Sequence, residues 1–162
     1  MTLDGQRILL KKLGIAVAIP LSVGALSSLL TMGSMKAFGQ LRQPPISPPG
    51  WVFPVVWSGL YVMMGTASYL IDRSDVPKKA KQAALCAYGV TLLLNFLWPL
   101  LFFRAGMHLA AFLLLVALFG AVAVTAYLFG CLRPLAGYLF LPYLAWTVFA
   151  GYLNLGVYLL NR

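Results

Sequence analysis

Asn95 and Asn154 stand in the uncharged stretches "LLLNFLWPLLFF" and "FAGYLNLGVYLL". A carboxamide in hydrocarbon must find a hydrogen bond, so both are expected to turn toward other helices. Helical spacing puts Trp98 and Phe102 on the face of Asn95. It puts Tyr143, Trp146, Ala150 and Leu153 with Asn154, and Pro54, Trp57, Tyr61 and Met64 on a third face. Aromatic walls with few neutral polar anchors suit the binding of a flat hydrophobic molecule. The same asparagines could serve as glue between helices, and the residue pattern leaves both readings open. Trp51 reads as an anchor at the membrane surface. Trp57 and Trp146 lie deeper.

Other chemistry is poorly supplied. The uncharged runs hold no Asp, Glu, Lys or Arg, the groups on which ion-coupled transport and acid–base or nucleophilic catalysis depend. His108, near Arg104, fits an interfacial residue better than a haem or metal ligand. Cys86 and Cys131 lack metal-ligand spacing and are expected as buried free thiols. The balance favours a binder over an enzyme, with no cofactor and no metal.

The elements that must position these residues are membrane helices. The chain is 62% hydrophobic and 9% charged, against about 25% charged for a soluble domain. Its mean hydropathy is +0.90. A net charge of +9 raises the question of nucleic acid. The basic residues form no patch and stand between apolar runs, so nucleic acid is excluded as a partner. Five such runs each exceed the roughly 20 residues that cross a bilayer. They predict an all-α membrane protein, a five-helix bundle in one domain over 1–162. The helices fall at about 13–33, 50–71, 82–103, 108–130 and 135–159. The segments before the first run, between the second and third, and between the fourth and fifth together hold eight Lys and Arg against four on the other side, which places the N-terminus in the cytoplasm.

The longest connection, 34–49, contains Pro44, Pro45, Pro48 and Pro49, which favour extended backbone. Pro20, Pro54, Pro99 and Pro142 lie within or near the ends of four spans and are expected to kink them, bowing helices apart around a cavity. Ala80 with Ala84 and Ala83 with Ala87 give the small-residue spacing of close helix contacts, inside the bundle or in a homodimer.

The blocks "SPPGWVFPVVWSGLY", "LNFLWPLLFF" and "RPLAGYLFLPYLAWTVFAGYLN" resemble the translocator protein (TspO/MBR) family, and they occur in the family's order. The resemblance covers nearly the whole chain after about residue 36. It implies a five-helix homodimer with a pocket beneath the first loop. Ligands of the family are tetrapyrroles such as protoporphyrin IX and haem, with sterols bound by mitochondrial relatives. By motif position the pocket residues are Trp57, Trp146 and Asn95, with Trp98 and Phe102 in the wall and Ala150 on the last helix. Pro48 and Pro49 sit where the family's loop covers its ligand. Tyr61, Tyr143 and Asn154 share faces with these residues and join the candidate site. The function implied is a receptor, carrier or sensor of tetrapyrrole-like ligands. A porphyrin-modifying enzyme and a regulatory membrane partner without its own ligand are the alternatives. The sparse cysteines suit a bacterial cytoplasmic membrane.

The chain departs from the family in its lid. Ala37-Phe38 stands where a Trp-Tyr pair is frequent, and Ile46 where a lid tryptophan is expected. Chemistry that needs lid indoles is put in doubt, whereas binding by the deep residues is less affected. A sterol-type pattern, Leu155, Tyr158 and Arg162, can be drawn at the C-terminus.

Overall fold

The computed structural model describes residues 3–34 and 38–162, with side chains from residue 6 onward. Five segments are long and apolar enough to cross a membrane: Gln6–Ser34, Val52–Asp72, Lys78–Arg104, His108–Leu132 and Pro134–Leu160. Helix α1 is Leu3–Thr31 and ends in the 3₁₀ turn Met32–Ser34. Helix α2 is Val52–Asp72 and α3 is Lys78–Pro99. Helix α4 is His108–Leu132. The last span is divided into α5, Pro134–Tyr138, and α6, Leu141–Leu160.

Helices form here because each long run satisfies its own backbone in a solvent that offers no hydrogen bonds. α1 starts ten residues before the predicted span because its basic first turns, with Arg7, Lys11 and Lys12, remain helical. The buried face of α4 runs Ala111, Leu115, Leu118, Val122, Thr125 and Phe129, a helical repeat facing inward. Its opposite face exposes Leu113, Val116, Val124 and Tyr127. Exposed apolar rows of this kind suit lipid.

The order around the bundle is set by packing. α1 lies against α2 and α3, and α4 lies against α3 and α6. Gly65 lets α2 reach the backbone of α1 at Val17, where any Cβ would overlap. Gly24 on α1 leaves the space that the Tyr61 ring occupies. α2 touches α5, but α2 and α6 barely meet backbone to backbone.

Two expectations need correction. Pro54 and Pro142 lie in the first turns of α2 and α6, where a missing N–H costs little. Only Pro20 and Pro99 lie inside helices. After Pro99 the helix widens into a π turn, Leu100–Arg104, in which the Ala105 N–H donates to the Leu100 carbonyl at 2.9 Å. The thiols of Cys86 and Cys131 are not buried: both residues are exposed on the outside of their helices. Hydrocarbon is the solvent on that face, so an apolar thiol gains nothing from turning inward. The two alanine pairs also part company, with Ala84 buried and Ala83 exposed.

Candidate functional site

Three spans meet at a polar link in the apolar interior. The Tyr61 hydroxyl on α2 donates to Asn95 Oδ1 on α3 at 3.0 Å. Asn95 Nδ2 in turn donates to the Tyr143 hydroxyl on α6. All three residues are buried. Each helix supplies a group that could not remain alone in hydrocarbon, so the link fixes the depth of the three helices relative to one another. Trp57, one turn before Tyr61, lies over it, stacked on Tyr61 at 5.6 Å and edge-on to Tyr143 at 5.8 Å.

A second link lies nearer the proline segment. Trp98 Nε1 donates to Asn154 Oδ1 at 3.1 Å, and Asn154 Nδ2 donates to the His108 carbonyl at 2.8 Å. Both ends of the Asn154 carboxamide thus have a protein partner, and the residue joins α3, α4 and α6. Trp98 stacks on Phe102 at 5.4 Å. Phe38 closes this aromatic layer from the lid, 5.6 Å from Phe102 and 5.0 Å from Phe103. Ala150 is buried on α6 between the two links.

Trp146 stands apart from both. It lines a groove of about 510 Å³ between α2 and α6, with Gly59, Leu60, Met63, Ala145 and Phe149 among the walls. Phe53 meets it edge-on across the gap at 6.0 Å. The indole Nε1 of Trp146 is buried and has no hydrogen-bond partner. The structure thus brings Trp57, Tyr61, Asn95 and Tyr143 together, gathers Trp98, Phe102, Asn154 and Phe38 in a second cluster, and leaves Trp146 in the seam.

The lid is held by contacts that the sequence did not reveal. The Arg42 N–H donates to Asn161 Oδ1 at 2.9 Å, and Asn161 Nδ2 returns a bond to the Arg42 carbonyl at 3.0 Å. The Tyr152 hydroxyl donates to the Pro45 carbonyl at 2.8 Å. Pro44 is buried against Gly156, where a Cβ would overlap its ring. Tyr152 and Gly156 are four apart on one helical face, a spacing visible in the sequence. Nothing in the sequence marks Asn161, one residue from the C-terminus, as a partner for residue 42. Pro48 is half-buried and Pro49 exposed, its carbonyl receiving the Val52 N–H at 3.0 Å as α2 begins. Ile46 is 76% exposed and left-handed, with φ 61°. A β-branched side chain is strained in that region. Ala37 lies outside the described residues. Among the described residues, no three His, Cys, Asp or Glu side chains gather to hold a metal.

Comparison with known proteins agrees with this architecture. The TspO/MBR family model matches residues 16–160. Protein CrtK of Rhodobacter capsulatus is 34% identical over 85% of this chain and 85% of its own length. The tryptophan-rich protein TspO of Chlorobaculum tepidum is 31% identical over 92% of this chain and 95% of its own. The translocator protein of Ovis aries is 40% identical over 72% of this chain and 70% of its own.

Proposed function

The chain belongs to the TspO/MBR family, and on that premise we propose that it is a multi-pass membrane receptor or carrier for flat hydrophobic ligands of the tetrapyrrole class, with sterols as a secondary class. The observation that carries this reading is the aromatic cluster around one polar anchor. Trp57, Tyr61 and Tyr143 surround Asn95, and Trp146 lines a groove between the same two helices, α2 and α6, its indole N–H buried and unpaired. Such a cluster supplies aromatic faces and hydrogen-bonding groups to a π-system that parts its packed side chains. Catalysis is not needed to explain any residue in it.

The reading includes an arrangement in the cell. The N-terminus faces the cytoplasm, by the distribution of Lys and Arg, and the lid faces the opposite side. The membrane is the bacterial cytoplasmic membrane, and the working unit is a homodimer over a single domain.

Titration of the purified protein with protoporphyrin IX, followed by tryptophan emission, tests the ligand class. Saturable quenching is expected, with weaker binding by both Trp57→Phe and Trp146→Phe. Unchanged affinity in both variants would remove the assigned site. A new absorbance product in darkness or light would replace the carrier with an enzyme.

A further inference from the structure

The bundle is fastened at the lid and unfastened at one seam. Over the lid, the main chain of Arg42 and Pro45 is bonded to Asn161 and Tyr152, while Pro44 fills the notch at Gly156. Lifting the lid breaks three hydrogen bonds and exposes an apolar ring. Between α2 and α6 no hydrogen bond crosses among the described side chains other than the route through Asn95. The two backbones barely meet, and rings alone bridge the gap.

We propose that the apolar ligand reaches the interior sideways from the bilayer, through the seam between α2 and α6, while the lid stays fastened. The inference rests on the ligand reading given above. Three features of the seam support it. Its groove of about 510 Å³ falls within the size range of small-molecule sites, roughly 300–1,000 Å³. Its rims are lipid-facing, with Val55 61% exposed on α2 and Pro142 and Ala145 exposed on α6. Buried Leu60 lines it, on the same turn of α2 as Tyr61 of the polar anchor.

Trp146 Nε1 is buried among protein atoms without an acceptor, and a turn of the indole would bring it to the groove that its ring lines. A buried donor without an acceptor is costly, and the cost is recovered when a partner arrives. The occupant is therefore a membrane-dissolved apolar molecule bearing a carbonyl, carboxylate or hydroxyl oxygen. Such a molecule concentrates in the bilayer, and passing between rings breaks no hydrogen bond.

The test uses the full chain in lipid nanodiscs with Cys86→Ser and Cys131→Ser as background. One variant carries Gly59→Cys and Ala145→Cys, bridged across the seam by a short bis-thiosulfonate. A second carries Pro45→Cys and Tyr152→Cys, bridged across the lid. With protoporphyrin IX supplied from liposomes, the seam bridge is expected to slow association about ten-fold or more, a change of the size that a blocked path produces. The lid bridge is expected to leave the rate unchanged. The reverse pattern, or two unaffected rates, overturns the proposal. Trp146→Phe is expected to weaken binding about 2- to 12-fold, the worth of one hydrogen bond.

A second probe needs no porphyrin. Phospholipid brominated in mid-chain should quench Trp146 in the seam, and the Trp146→Phe variant and the seam bridge should each remove that share of the quenching. Equal quenching in all three means that lipid does not reach the seam, and the proposal falls. A parent protein that ignores protoporphyrin but passes the lipid test defeats the ligand class and leaves the seam standing.

Discussion

The lid and the α2–α6 seam close the same bundle by opposite means. The lid lies on the polar end of the molecule, where water competes for every hydrogen bond, and it is held by three of them plus a ring in a notch. The seam lies in the apolar belt and is bridged directly only by aromatic edges, with hydrogen bonding confined to the indirect route through Asn95. A polar closure is directional and specific, whereas an aromatic one is weak and tolerant of displacement. The contrast teaches that the conspicuous proline segment need not be the moving part. Its prolines and its docking on α6 make it a fixture, and the loose contact lies between two helices that look ordinary in sequence.

The comparison can be broken most strongly at Gly156. Gly156→Leu would drive Pro44 out of its notch at an overpacking cost of about 1–3 kcal/mol. Proteolysis within residues 40–50 should accelerate while the emission of Trp146 stays the same. If cleavage does not change, the notch does not seat the lid. A smaller loosening is expected from Tyr152→Phe combined with Asn161→Ala. Each hydrogen bond lost is worth about 0.5 kcal/mol here, the low end of the range, because water replaces it. The Arg42 amide should then exchange faster in hydrogen–deuterium measurements.

Ile46→Gly should act in the other direction. Relief of the left-handed β-branched residue gains about 1–2 kcal/mol, partly offset by the greater freedom of glycine when the lid is undocked. A net tightening of under about 1 kcal/mol should appear as slower exchange across 42–47. The smallest effect is expected at Gly59, where an added Cβ meets nothing within 4 Å. Gly59→Ala should leave lid exchange unchanged and raise the melting temperature slightly, because alanine favours helix by up to about 1 kcal/mol. A loss of stability there would mean that the seam is tighter than the geometry indicates.

Much of the fold was legible because hydrocarbon imposes simple rules. Runs without charge had to be helices, and Asn95 and Asn154 had to turn inward, as they do. What was not legible was how each asparagine spends its bonds. Asn95 joins two tyrosines, one of them 34 and the other 48 residues away, and Asn154 is taken by Trp98 and a backbone carbonyl. Helical spacing assigns Tyr143 and Trp146 to one wall. They are three residues apart, and that offset rotates Trp146 from the interior into the seam. The thiols of Cys86 and Cys131 face outward because the rule that free cysteine is buried belongs to proteins in water.

The sequence by itself determined five membrane helices, their approximate limits and the family, since run length, charge placement and motif spacing are local properties of the chain. Only the tertiary structure decided which helices are neighbours, that the lid is tied to Tyr152, Gly156 and Asn161, and that α2 and α6 stand apart. Those facts depend on residues more than a hundred positions apart meeting in space. No local pattern encodes such a meeting, because in lipid almost any apolar face satisfies its surroundings. The choice among faces falls to a few close-fitting glycines and hydrogen bonds.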